Sequence, residues 1–203
     1  MLRWFVNPYL RVRYENEEVL DLPGATILAP VHRSNLDSPL IATLSSRRIR
    51  ALGKESLFTT PGVSYVCAAL GAIPVRRGEA DRDALKAALG LLRDGETMIV
   101  FPEGGRQEGD KVGPLFDGAA WLAAKTGARV VPIGVAGTEA ALPQGAKRLH
   151  RSTVAIAVGE PLASPAEGGT RRVPRDRLQE FTLQLHSELQ KAQDRAVELA
   201  GRR

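Results

Sequence analysis

Short apolar runs rich in β-branched residues alternate along this chain with segments whose apolar positions recur at helical spacing. Six runs read as strands: "TILAPV" (26–31), "RIRALG" (48–53), "AIPV" (72–75), "TMIVFP" (97–102), "RVVPIGV" (129–135) and "STVAIAVG" (152–159). Between them, "SPLIATLSSR", "DRDALKAALGLLRDG" and "DGAAWLAAKTG" read as helices. In the second, Leu85, Ala88, Leu89 and Leu92 share a stripe, Asp81 or Asp83 is placed to cap it, and Gly95 stops it. Strands that are apolar throughout are covered on both faces, and helical connections between strands make neighbours parallel. The pattern therefore predicts one α/β domain over 1–203, a mixed, largely parallel sheet flanked by helices. It ends in a long amphipathic helix at 174–200, where Leu178, Phe181, Leu185, Leu189, Ala192, Ala196 and Leu199 form a stripe for docking on the domain or on a partner helix. The Ser/Pro/Gly-rich "PLASPAEGGTRRVP" before it is a surface connection, and the chain carries neither an internal repeat nor a second domain.

Composition narrows the function. Hydrophobic residues make up 43% and charged residues 25%, enough for an ordinary core. The single cysteine, Cys67, rules out an internal disulfide and zinc-finger spacing, fits a reducing compartment, and sits in the apolar "SYVCAAL" as a packing residue. A formal charge of +5 suits an anionic partner. Nucleic acid is disfavoured, because aromatics are only 5% and no basic run alternates with stacking residues. A phospholipid surface or a phosphorylated molecule fits better. The longest apolar stretch, "YVCAALGAIPV", is broken by Gly71 and Pro74 and is too short to span a bilayer. At the start, Leu2, Trp4, Phe5, Tyr9, Leu10 and Val12 alternate with Arg3, Arg11 and Arg13, so residues 1–16 read either as an interfacial segment or as a terminus packing its aromatics on the core.

Three strand ends carry polar groups, and ligands of parallel sheets gather at the carboxyl ends of strands. After the first strand comes "HRSNLD". An imidazole removes a hydroxyl proton near neutral pH, and a carboxylate on its other nitrogen fixes the tautomer. His32 and Asp37 fit those roles if the chain turns between strand and helix; equally, Asp37 or Ser38 can simply cap the helix that Pro39 begins. No G-x-S-x-G elbow supports a serine hydrolase, and His150 and His186 lack metal-ligand spacing. In "GAIPVRRGEADRD", Arg76 and Arg77 can clamp a phosphate or belong to a solvated turn. In "FPEGGRQEG", Gly104 and Gly105 allow backbone N–H groups near an anion, while Glu103 and Arg106 can orient hydroxyl and phosphate groups; a flexible loop is the plainer alternative.

The succession "HRSNLD", "GAIPVRR", "FPEGGR", "VVPIGV", from about Ala29 to Val135, resembles the four motifs of the glycerolipid acyltransferases, the 1-acylglycerol-3-phosphate acyltransferase family. The resemblance implies that His32 is a general base oriented by Asp37. It places Ser34 at a position the family often fills with Ser, and Arg77, beside Arg76, where an arginine holds the acceptor phosphate. Phe101, Pro102, Glu103, Gly104 and Arg106 match the third motif, with Gly105 in place of its usual Thr; Val131 and Pro132 represent the fourth. Asp117 stands where many relatives have Lys, which together with Gly105 bears on the acceptor.

The resemblance thus implies an O-acyltransferase that moves an acyl group from acyl-CoA or acyl carrier protein to a lysophospholipid, with no cofactor or metal. The acceptor expected first is lysophosphatidate, followed by glycerol 3-phosphate or another lysophospholipid. Residues 57–75 would wall the acyl chain or simply fill the core. Peripheral attachment to the cytoplasmic face of a membrane is expected, since the N-terminal segment is short for a full anchor. A phospholipid-binding protein without turnover and a thioesterase-like hydrolase are the alternatives from other classes.

Overall fold

The structure, a computed structural model, describes residues 10–54, 71–75, 82–146, 148–166 and 173–201. Seven strands form one sheet: β1 (Leu10–Glu15), β2 (Thr26–Pro30), β3 (Ile49–Lys54), β4 (Ala72–Val75), β5 (Thr97–Ile99), β6 (Arg129–Ala136) and β7 (Ser152–Val158), in the order β1-β7-β6-β2-β5-β3-β4. From β6 to β4 every neighbouring pair is parallel; β7 runs antiparallel to β6, and β1 pairs parallel with β7. The helices are α1 (Asp37–Ala42), α2 (Arg82–Arg93), α3 (Gly118–Thr126), the one-turn α4 (Thr138–Ala141) and α5 (Arg175–Gly201). This is the mixed, largely parallel α/β sheet that the apolar runs predict.

Alternate residues of the strands feed two cores. On β2, Leu28 joins Val131, Ile133, Leu40, Ile41 and Leu189 on one face, while Ile27 and Ala29 join Met98, Ala119, Ala123, Phe181 and Leu185 on the other. Period-two side chains buried on both faces explain why the strands carry no polar alternation. α5 crosses β6 and β7 closely enough that a Cβ on Gly134 of β6 would stand 2.1 Å from the carbonyl oxygen of Ala192.

One open reading is narrowed and one expectation is corrected. Residues 10–15, part of the segment 1–16 that reads either as interfacial or as a terminus packed on the core, form the edge strand β1. There Leu10 is buried and Val12 packs on the core while Arg11 is exposed, so the apolar–basic alternation is that of a half-covered strand. Arg13 donates to the Leu199 carbonyl at the end of α5 (2.7 Å). Residues 1–9 lie outside the described residues, as do Cys67 and all of 55–70. The strand expected at 97–102 ends at Ile99, because after Val100 donates to the Leu28 carbonyl the chain turns, with Gly104 N–H bonding the Phe101 carbonyl.

At the amino-terminal edge of the sheet, arginines close the loops. Arg47 donates to the carbonyls of Leu22, Gly24 and Gly95, and Arg129 to that of Pro23. Arg50 meets Glu96 through two hydrogen bonds, of 2.5 and 3.1 Å. That bonding holds the Glu96 carboxyl below its ordinary value. Among the described residues, no helix is long and apolar enough to cross a membrane.

Two outcomes test this packing. Gly134→Ala is expected to destabilise the fold by about 3 kcal/mol, as forced overpacking against fixed backbone does, measured by chemical denaturation. Glu96→Gln is expected to cost about 0.5–1 kcal/mol at pH 7, the range of a partly exposed ion pair. Because the folded Glu96 carboxyl is depressed, its contribution is present above the unfolded carboxylate range and is lost as pH falls through the folded value. The gap between wild type and Glu96→Gln should therefore close on acidification below about pH 4, the unperturbed range of a Glu carboxyl.

Candidate active site

The carboxyl ends of β5, β2 and β6, three adjacent strands, meet at one edge of the sheet, and β2 is the middle one. His32 leaves the end of β2 and is buried, with 9% of its surface exposed. Its Nδ1 lies 2.9 Å from Oδ2 of Asp37, the first residue of α1. The same oxygen accepts the backbone N–H groups of Arg33 (2.7 Å) and Ser34 (2.8 Å), and Asp37 Oδ1 accepts the hydroxyl of Thr138 (2.7 Å). A carboxylate that accepts from every side requires the proton on Nδ1, which leaves Nε2 of His32 as the basic nitrogen. The ring is held flat by Phe101, stacked at a centroid distance of 3.8 Å and 22° between planes.

Asp37 therefore does not cap its helix. Leu36 occupies the N-cap, without a side-chain bond, and the carboxylate reaches back to fold residues 32–34 around itself. The five-residue spacing that no helix face would bring together is satisfied by this loop.

Glu103, in the turn that follows β5, supports the other side. It is buried; Oε2 accepts the His32 N–H (3.1 Å) and Arg33 Nη1 (2.9 Å), and Oε1 accepts the Gly113 N–H (2.9 Å). Arg33, itself buried, also donates to the carbonyls of His32, Gly109 and Lys111, and Gln107 N–H closes on the His32 carbonyl. The Ser34 hydroxyl donates to the Leu142 carbonyl. Both polar side chains expected to face a substrate, Ser34 and Glu103, thus have their oxygens engaged inside the protein.

Gly104 and Arg106 are exposed on the turn that follows, with Gly105 half-buried between them. Gly104 has φ 73°, and a Cβ there would stand 2.7 Å from the ring of Phe116, so the turn needs glycine on both counts. Asp117 points away from this cluster and accepts the hydroxyl of Thr182 on α5. Arg76 and Arg77 lie outside the described residues. Among the described residues, no group of three or more His, Cys, Asp and Glu side chains is arranged to hold a metal ion.

Sequence reasoning thus brings His32, Asp37, Ser34 and Glu103 to one place. It passed over Arg33, which sits inside the first motif, and Thr138, which follows β6. Thr138 carried one usable signal: it lies just beyond the end of a strand, β6.

Known proteins resemble the chain in both sequence and fold. Residues 11–136 match the family model described as Acyltransferase. The chain is 29% identical over 163 residues to the chloroplastic 1-acyl-sn-glycerol-3-phosphate acyltransferase LPAT1 of Arabidopsis thaliana, covering 77% of this chain and 45% of that protein. It is 27% identical to the 1-acyl-sn-glycerol-3-phosphate acyltransferase of Bacillus subtilis, covering 74% of this chain and 73% of that one. The crystal structure of the 1-acyl-sn-glycerophosphate acyltransferase PlsC from Thermotoga maritima superposes with a TM-score of 0.74 and 26% identity, covering 99% of this chain and 77% of that one. The chain spans less than half the length of the chloroplastic relatives it matches. With the family model matching well over half of its residues, the chain belongs to the acyltransferase family.

Proposed function

We propose that the protein is an O-acyltransferase that moves a fatty acyl group from an acyl thioester, acyl-CoA or acyl carrier protein, to the hydroxyl of a lysophospholipid. The acceptor would be 1-acylglycerol 3-phosphate and the product phosphatidate, as in phospholipid biosynthesis. The observation that carries the reading is His32, its Nδ1 bonded to a fully buried Asp37 and its Nε2 left basic at a confluence of strand ends. Relatives named for this reaction on this acceptor support it.

In the proposed reaction, Nε2 of His32 takes the proton of the acceptor hydroxyl as its oxygen attacks the thioester carbonyl. The tetrahedral intermediate collapses, the C–S bond breaks, and the departing thiolate takes the proton back from the imidazolium. Asp37 holds the ring in the productive tautomer and faces the positive charge formed. Arg77, with Arg76 and Arg106, would bind the acceptor phosphate, so that the hydroxyl arrives positioned. The Gly105 N–H would lie against the same anion, the Gly104 N–H being bonded to the Phe101 carbonyl. We assign Ser34 and Glu103 to holding the His32 loop in shape, the roles their hydrogen bonds support. Attachment would be peripheral, on the cytoplasmic face of a membrane.

The test is thiol release from a long-chain acyl-CoA with and without lysophosphatidate, repeated with acyl carrier protein as donor. Acceptor-dependent release that falls at least ~10²-fold in His32→Ala is expected, the usual loss on removing a positioned general base. Release without acceptor would make the protein a hydrolase, and lipid binding without release from either donor would make it a binding protein. Glu103→Gln separates a supporting role from substrate contact. Leaving Arg33 buried without its anion is expected to cost about 3 kcal/mol or more in denaturation, along with activity. Unchanged stability with a raised KM would instead return Glu103 to the substrate.

A further inference from the structure

The hydrogen bonds on Asp37 come from two sources. Those on Oδ2 arise within the loop that also carries His32, but the bond on Oδ1 comes from Thr138, 101 residues away in sequence and beyond the residues that match the family model. Thr138 has no exposed surface. Its place is fixed by the turn out of β6: Gly137, at φ 81°, lies so near β7 that a Cβ would be 2.1 Å from the Thr153 carbonyl oxygen. The Ser34 hydroxyl, bonded to the Leu142 carbonyl at the other end of α4, ties the same one-turn helix to the His32 loop a second time.

We propose that Thr138 is a positioning residue for the reaction, acting through Asp37 on His32; this rests on the general-base reading above. A carboxylate bonded on one oxygen alone can rotate about its Cβ–Cγ bond and trade Oδ1 for Oδ2. With Thr138 donating to Oδ1, Oδ2 stays directed at Nδ1, and the ring keeps its proton there with Nε2 turned to the substrate. Without the hydroxyl, a buried carboxylate oxygen lacks its donor, and the loop and ring lose their fixed reference.

The test pairs Thr138→Val, which keeps the shape and removes the hydroxyl, with Thr138→Ser, which keeps the hydroxyl and removes a methyl. Thiol release from acyl-CoA or acyl carrier protein with lysophosphatidate gives kcat and KM. Thr138→Val is expected to lower kcat roughly 10-fold, the loss that follows from an unmet buried acceptor, with KM within about twofold, whereas Thr138→Ser stays near wild type. On an Asp37→Asn background, Thr138→Val should have little further effect, since the two act as one unit. Long-range ¹H–¹⁵N spectra of the imidazoles give a readout that needs no substrate: with three histidines in the chain, the His32 ring is identified by its loss in His32→Ala. The spectra should show the Nδ1–H tautomer in wild type and Thr138→Ser, and a mixture in Thr138→Val. Wild-type kcat and tautomer in Thr138→Val, or a Thr138→Ser variant as slow as Thr138→Val, would overturn the proposal. If His32→Ala itself keeps full activity, the general-base reading falls and this inference with it; if His32→Ala is silent while Thr138→Val is unaffected, this inference alone falls.

Discussion

A carboxylate with no exposed surface stands at the centre of this molecule's candidate site, and its burial constrains everything around it. Removing such a charge from water costs several kcal/mol even after relaxation. Hydrogen bonds to a charged acceptor return about 1.5–3 kcal/mol each, so several are needed to offset the loss. Asp37 obtains them from His32, from the Arg33 and Ser34 backbone and from Thr138. The requirement that these donors converge explains why residues 32–36 form a tight loop rather than a longer strand, and why the turn after β6 comes back beside it.

The same reasoning extends outward by one layer. Arg33 is the second buried charge, and Glu103 meets it with a carboxylate whose other oxygen fixes the Gly113 N–H. Arg33 also binds the carbonyls of Gly109 and Lys111, so the segment after the third motif is folded against the first. α5 then secures that segment from outside, with Gln190 accepting the Val112 N–H and His186 facing the Val112 carbonyl. The long C-terminal helix therefore does more than cover a sheet face: it is the outer support of a chain of contacts that ends at the His32 N–H.

How much of this could be read in the sequence follows from which interactions are local. The strands from β2 onward and the long helices were legible because their apolar periods are written in consecutive residues. β1 was missed because its alternation of apolar and basic residues is equally that of an interfacial segment; pairing with β7, across more than 130 residues, decides between them. The motifs point to His32, Asp37, Ser34 and Glu103, which the fold brings into contact, but residue type and spacing do not tell which way a side chain turns after a strand. Thr138 lacked any motif. Its importance arises from β6 lying next to β2, a fact of sheet order that local patterns do not contain.

Sheet order also bears on the surplus of positive charge. Several arginines that contribute to the formal +5 are committed to the fold: Arg47 and Arg129 close loops, Arg50 and Arg195 pair with Glu96 and Glu15, and Arg33 is buried. Counting the buried cluster at the site, Asp37 and Glu103 contribute two negative charges and Arg33 one positive, a net of −1 while His32 is neutral. That negative interior repels a phosphate. On the proposed reading the two tasks must therefore be separated in space. The hydroxyl would go to His32, and the phosphate would go to cations outside the buried cluster, of which Arg106 on the exposed turn would be one. A glycerol phosphate carries its hydroxyl and its phosphate on different carbons, so one molecule can satisfy both regions at once.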